Sequence, residues 1–228
     1  FLEEVDEILR LEFNAAGLVT VKKILGALTM RGKSFAEIKK RTKIPNGTLA
    51  AAIEKLLEYD IIFENYPAFD ERKNLDRGVK FVIRDFYLNL FFQVIKPNMK
   101  KIRTNFDNKM LVNSIFGWPQ SFYYIKNFSG EAFENYVKYL LREIHRSSPP
   151  IIKKLSLVDV DYQVGTHWSE KCQIDIVLSE CSDNQVRLIE CKWTSDLDLI
   201  KHTLLHFEDK IATLEPSDVK HNPMLALC

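Results

Sequence analysis

Two acids and a lysine stand at a spacing that could hold a divalent cation and act on a phosphodiester: Asp175, then Glu190 and Lys192. Asp175 interrupts the apolar run Ile174-Asp175-Ile176-Val177. Glu190 and Lys192 interrupt Leu188-Ile189-Glu190-Cys191-Lys192-Trp193. Such runs read as strands over 173–178 and 185–193. The turn-forming Cys181-Ser182-Asp183-Asn184 between them predicts an antiparallel hairpin. Side chains alternate across a strand. Ile174 and Ile176 are therefore expected on one face, with Gln173 and Asp175 on the other. On the partner strand Leu188, Glu190 and Lys192 share a face, with Ile189, Cys191 and Trp193 opposite. Asp175, Glu190 and Lys192 then converge on one surface. Two adjacent carboxylates call for a cation, and hard oxygen ligands suit Mg²⁺ or Mn²⁺. A lysine beside the metal can orient or deprotonate a water that attacks the phosphodiester, while the metal stabilises the developing charge. A surface ladder of cross-strand ion pairs would use the same residues. The reason to prefer a site is that the charges break apolar strands, where they are costly to bury without partners.

The neighbouring elements decide what else reaches that surface. A helix is expected from Gly130 to about Ile144, with Phe133, Val137, Leu140, Leu141 and Ile144 as its apolar stripe. At ~100° per residue, Glu134 falls about 75° from the stripe centre and Glu131 about 135° away. Glu134 is thus the fourth candidate catalytic residue, placed to point at a neighbouring sheet. Pro149-Pro150 closes the connection to a strand expected over 155–164. A helix follows over about 196–214, and 223–227 is a further candidate strand. His202 and His206 lie one turn apart with no third ligand, which suits solvated histidines. Lys201 and Lys210 suit either solvent or a phosphate. His167-Trp168 reads as a loop, and Cys191 as a small core residue.

The front half has a different character. Val21, Ile24, Leu25 and Leu28 recur at helical spacing over 20–32, with Gly32 as a stop. Ser34 and Glu37 form a capping-box pair for a second helix ending near Thr42. Pro45-Asn46-Gly47 marks a turn before a third helix, from about Thr48 to Tyr59. Strands at 61–63 and 79–83 complete a winged helix-turn-helix. Such a module reads DNA through its third helix or docks on protein. The exposed face of that helix offers Asn46, Thr48, Ala51, Ala52 and Lys55 but also Glu54 and Glu58. Cations surround it instead: Lys39, Lys40, Arg41 and Lys43, with Arg72, Lys73 and Arg77 on the wing. An aromatic helix over 85–95 is expected to end at Pro97, and Lys100, Lys101 and Arg103 follow it. These are the candidate nucleic-acid-binding residues, because cations suit phosphate contact without sequence readout.

The chain of 228 residues carries a net charge of +1, which taken alone argues against a basic nucleic-acid binder. That figure conceals a split. Residues 20–110 hold 19 Lys and Arg against 10 Asp and Glu, whereas residues 155–228 hold 6 against 13. Two modules with different partners are expected. Hydrophobic residues at 46% exclude a disordered tail. No apolar run approaches the ~18 residues of a membrane span. Four cysteines without zinc-ligand spacing read as reduced thiols of a cytoplasmic protein. The chain begins at Phe1 and is expected to be a piece of a longer protein.

Ile174-Asp175-Ile176-Val177 with Ile189-Glu190-Cys191-Lys192-Trp193 resembles the core of the PD-(D/E)XK nuclease superfamily. Gly130-Glu131-Ala132-Phe133-Glu134 resembles its first helix. The order of elements resembles the C-terminal half of the archaeal and bacterial DEXX-box ATPase family, in which a P-loop ATPase precedes a winged helix and a nuclease-like domain. Phe81-Val82-Ile83-Arg84-Asp85-Phe86-Tyr87-Leu88, with Phe91-Phe92 and Pro97, resembles the junction there. The resemblance implies an α+β chain in four parts. Residues 1–19 would be the tail of an absent ATPase domain, 20–84 a winged helix, 85–128 a helical connector and 129–228 a restriction-endonuclease-like domain. It implies Asp175 and Glu190 as metal ligands for Mg²⁺ or Mn²⁺, and Lys192 as the residue positioning water. Glu134 would hold metal or water indirectly. DNA and a P-loop ATPase domain of the same full-length chain are the implied partners. No Gly-Lys-Ser/Thr phosphate loop occurs, so no ATPase activity is expected of this chain alone. A catalytically silent nuclease fold that binds nucleic acid or protein and regulates the ATPase stands beside the nuclease reading.

Overall fold

A short acidic helix, α1 (Glu4–Glu12), leads into α2 (Ala15–Ala27). Asn14 caps α2 by accepting the Gly17 N–H at 2.9 Å. The computed structural model describes residues 4–28, 30–68, 78–104, 120–147, 162–168, 172–180, 185–192, 194, 196–214 and 220–227. They divide into two compact units. The first comprises Phe1–Asn65 and Val79–Phe128, and the second Tyr66–Gly78 and Ser129–Cys228.

In the first unit α2 starts and stops earlier than its apolar spacing suggests. The Asn14 cap precedes helix-favouring alanines, and the helix ends at Ala27. Gly32 is not the stop but a tight turn at φ +76°, where a Cβ would lie 2.8 Å from Val82 Cγ2. That turn lets Lys33 bridge Phe81 in antiparallel fashion. Ser34 and Glu37 form the capping box of α3 (Phe35–Thr42), and left-handed Lys43 ends it. α4 (Asn46–Glu58) buries Leu49, Ile53 and Leu56. β1 (Ile62–Pro67) and β2 (Lys80–Ile83) pair antiparallel from Ile62↔Ile83 to Asn65↔Lys80. Val21, Ile24, Leu25, Ile38, Leu49, Leu56, Ile62 and Ile83 meet in one core with Phe91 and Phe92.

Pro97 does not end the aromatic helix. Asp85 caps α5 (Phe86–Leu90) by accepting the Leu88 N–H at 2.7 Å. A π turn over Phe91–Ile95 and a 3₁₀ turn over Lys96–Asn98 then carry the chain into α6 (Met99–Thr104). Proline lacks an N–H donor, and the change of helical period absorbs the missing bond. The Asn98 side chain donates to the Val94 carbonyl at 2.8 Å.

The second unit is a mixed five-strand sheet, among the described residues, with a helix on each face. Helix α7 (Gln120–Ser147) begins ten residues before the expected start at Gly130. Glycine in a helix interior costs only about 1 kcal/mol, so Gly130 does not break it. The end of β1 pairs parallel with β3 (Tyr162–Trp168), through Tyr66↔Gly165 and Pro67↔Thr166. β3 pairs antiparallel with β4 (Gln173–Glu180), and β4 with β5 (Gln185–Lys192). Helix α8 (Leu197–Ala212) follows, and β6 (Lys220–Leu227) closes the order by pairing parallel with β5. Residues 155–161 of the strand expected over 155–164, and the turn at 181–184, lie outside the described residues, whereas 162–164 begin β3. His167 and Trp168 belong to strand β3, not a loop.

Two cores flank this sheet. Phe133, Val137 and Leu141 of α7 pack on Ile176, Leu178, Ile189 and Cys191. Phe207 and Ile211 of α8 pack on Ile174, Val177, Val186 and Leu188. The Tyr162 hydroxyl donates to the Leu141 carbonyl at 2.9 Å and the Arg142 guanidinium to the Val164 carbonyl at 3.2 Å, which fixes α7 against β3. The chain is therefore α+β. Among the described residues no helix is long and apolar enough to cross a membrane.

Candidate active site

Ile174 and Ile176 do not share a face as strand alternation predicts. Ile174 faces α8 and Ile176 faces α7. The register with β3 slips between Gly165↔Val177 and His167↔Ile174. Thr166 of β3 therefore faces two residues of β4, Asp175 and Ile176, a bulge that re-aims side chains. Asp175 sits in this slip. The β4–β5 ladder runs from Ser179↔Val186 to Ile176↔Ile189. Beside it the Cys191 N–H is taken by the Asp175 carboxylate, at 2.9 Å from Oδ2. Thr166 Oγ1 donates to the Asp175 carbonyl at 3.1 Å. Asp175 is only 5% exposed. Burial raises its pKa, Glu190 raises it further, and the Cys191 N–H works against both.

Glu190 and Lys192 lie on the α8 side of β5, with Leu188. Glu190 is 3% exposed. Its Oε1 receives two ammoniums: Lys192 Nζ at 3.2 Å and Lys210 Nζ at 2.7 Å. Its Oε2 is buried with no hydrogen-bond partner. A buried carboxylate oxygen without a donor is costly. Lys210 comes from α8, whose buried face is Thr203 and Phe207. Thr203, Phe207 and Lys210 follow the i, i+4, i+7 spacing of one helix face, a signal that could have singled out Lys210 in the sequence. His202, His206 and Lys201 on the same helix are exposed.

From the other face, α7 supplies Glu134 and a lysine the sequence reading did not consider, Lys138. They are one turn apart and so neighbours on the helix. Lys138 is 3% exposed. Burial holds its pKa below the ordinary lysine value, against the pull of Glu134 and Asp175. Glu134 is pushed up to about 7, first by burial and then by the charge of Asp175, with Lys138 opposing. For Lys192, burial acts downward, but Glu190, Asp175 and Glu134 together hold its pKa above the ordinary value. Cys191 points into the α7 core, and burial followed by the charge of Asp175 keeps it a thiol.

The charges of Asp175 and Lys192 thus act both on Glu190, which also holds Lys210 on the α8 side, and on Glu134, which lies beside Lys138 on the α7 side. Among the described residues no three His, Cys, Asp or Glu side chains form a ready-made metal cage. The donor chemistry nonetheless fits a hard divalent cation. Asp175 and Glu190 offer carboxylate oxygens, and Glu190 Oε2 lacks a partner.

In the first unit, Lys39, Lys40 and Arg41 on α3, Lys43 after it, and Lys100, Lys101 and Arg103 on α6 are all exposed. Arg72, Lys73 and Arg77 lie outside the described residues.

A model of the DUF234 family, archaeal and bacterial proteins of unknown function, matches residues 91–204, half of the chain. The chain belongs to that family. The matched segment holds Glu134, Lys138, Asp175, Glu190 and Lys192 and stops short of Lys210. The chain is 24% identical over 190 residues to Uncharacterized protein MJECL04 of Methanocaldococcus jannaschii. That match covers 83% of this chain and 39% of the relative, so the chain spans well under half the relative's length. No solved structure matches the chain.

Proposed function

We propose that residues 129–228 form a Mg²⁺-dependent phosphodiester hydrolase of the PD-(D/E)XK type, acting on DNA. The observation that carries this reading is Glu190: a buried carboxylate with one oxygen unpartnered, next to the buried carboxylate of Asp175. Asp175 and Glu190 would hold the cation, Mg²⁺ or Mn²⁺. When bound, it would supply charge stabilisation for the phosphate under attack. Lys192, kept protonated by three carboxylates, donates hydrogen bonds and orients the attacking water. Glu134, at about 7, holds or accepts a proton near neutral pH. Lys138 offsets the negative charge of Glu134 and Asp175 from the α7 side.

In this reading residues 20–84 are a winged helix-turn-helix, and 85–128 connect it to the hydrolase. Support comes from the three helices α2, α3 and α4, the β1–β2 hairpin and the Lys33–Phe81 bridge. The exposed cations of α3 and α6 suit phosphate contact. A P-loop ATPase domain in the same full-length chain is the proposed partner. One observation favours a second reading, a silent nuclease fold that binds and regulates. Lys192 and Lys210 already neutralise Glu190 Oε1 without a metal ion.

Cleavage separates the two. Plasmid and labelled single-stranded DNA are incubated with the chain in Mg²⁺ or Mn²⁺, beside Glu190→Gln and Lys192→Met. Cutting by the wild type that falls by about a hundredfold or more in both variants is expected. A wild type that cuts no better than Glu190→Gln on either substrate leaves the silent fold.

A further inference from the structure

The first unit holds a basic pocket that the hairpin site does not use. It lies among α2, the end of α3 and the turns around Pro97, an open recess of about 530 Å³. That is the size of a small-molecule site. Its walls include Lys22, Lys23, Gly26, Arg41, Phe92 and Lys96, and no acid.

The four cations differ in what holds them. Lys22 is neutralised by Asp6, with Nζ 2.6 and 2.7 Å from the two carboxylate oxygens. Among the described residues no carboxylate forms an ion pair with Lys23, Arg41 or Lys96. Lys96 is nevertheless fixed in place. Its ammonium donates to the Lys22 carbonyl at 3.3 Å and stands 4.7 Å from the centre of the Phe92 ring. Arg41 donates to the Ala27 carbonyl at 3.5 Å. Burial and then the charge of Lys22 hold the Lys96 pKa below the ordinary lysine value, with the charge of Asp6 opposing.

We infer that this pocket binds phosphate groups, with Lys23, Arg41 and Lys96 as donors. Three cations from three elements around one cavity repel unless a multivalent anion joins them. A guanidinium beside ammoniums suits phosphate oxygens. The phosphates can belong to a free polyphosphate or nucleotide, or to successive diesters of a nucleic-acid strand. The inference does not depend on the hairpin site.

The test is calorimetric titration of the full chain with tripolyphosphate and, separately, with a short single-stranded oligonucleotide, both at low salt. Lys23→Gln, Arg41→Gln and Lys96→Gln are compared with the wild type and with Lys201→Gln on α8. Each pocket variant should weaken binding about tenfold, and Lys201→Gln should not. For the oligonucleotide, each should also lower the slope of affinity against salt by about 1. Loss confined to tripolyphosphate assigns a free ligand. Loss that includes the oligonucleotide, with tripolyphosphate as competitor or as a non-binder, assigns the diester backbone. Lys23 is exposed, so Lys23→Gln reports even if the Lys96 variant fails to fold. No binding of either probe at low salt, or equal binding by wild type and Lys23→Gln, overturns the proposal.

Discussion

Glu190 is held through one carboxylate oxygen by two ammoniums and left bare on the other. This asymmetry is the residue-scale fact on which the site turns. An ammonium and a divalent cation compete for the same negative charge. Lys210→Met leaves Oε1 to Lys192 alone, so Mn²⁺ should bind about tenfold tighter to this variant. Calorimetry on the two proteins checks it, and equal affinities would show that Lys210 does not compete. Asp175, Glu190 and Lys192 were legible in the sequence because charges interrupted apolar runs. Lys138 and Lys210 were not. A lysine on a helix with many polar residues reads as solvated, and only its fixed offset from a buried partner tells otherwise. Glu134 and Lys138 are four apart, and Phe207 and Lys210 three apart, which is that signal.

At the scale of elements, local chemistry sets the starts and turns. The Ser34 and Glu37 capping box was legible from two residues at the right spacing, and it forms with Glu37 Oε2 2.9 Å from the Ser34 N–H. Hydrogen bonds from Lys33 and Ser34 hold the Glu37 carboxyl down at about 2. A carboxyl depressed in the folded state stabilises the fold above its unfolded pKa, near 4.5, and loses that stabilisation as pH falls toward about 2. Urea midpoints measured from pH 5 down to pH 2 should fall less steeply for Glu37→Gln than for wild type. Parallel profiles would contradict the assignment. Ser34→Ala should cost about 1 kcal/mol, read from the same midpoints. Gly32→Ala should cost about 1–3 kcal/mol, because the new Cβ meets Val82 and Lys80 at a positive φ. The slip that places Asp175 was not legible. Alternation along residues 173–178 has no mark for an extra residue in β4, and the bulge depends on how β3 pairs across Gly165 and His167. The extension of α7 before Gly130 was missed because a helix-interior glycine looks like a boundary.

At the scale of the molecule, the net charge of +1 is a near-cancellation of a basic front and an acidic back. The front carries the exposed cations of α3 and α6 and the pocket of Lys23, Arg41 and Lys96. The back carries two buried carboxylates. The proposed phosphate contacts and the proposed cation site therefore lie in different parts of the chain, and salt should act on them differently. Exposed lysine–phosphate contacts weaken steeply as salt rises. A cation held by buried carboxylates is screened less. Binding of the cation also needs no knowledge of the right nucleic acid, which makes it the most direct test. The full chain is titrated with Mn²⁺ at neutral pH, with free ion followed by electron paramagnetic resonance, beside Asp175→Asn and Glu190→Gln. A single Mn²⁺ per chain in the wild type, weakened about tenfold or more in both variants, is the predicted result. A wild type that binds no Mn²⁺, or variants that bind it as the wild type does, would contradict the site.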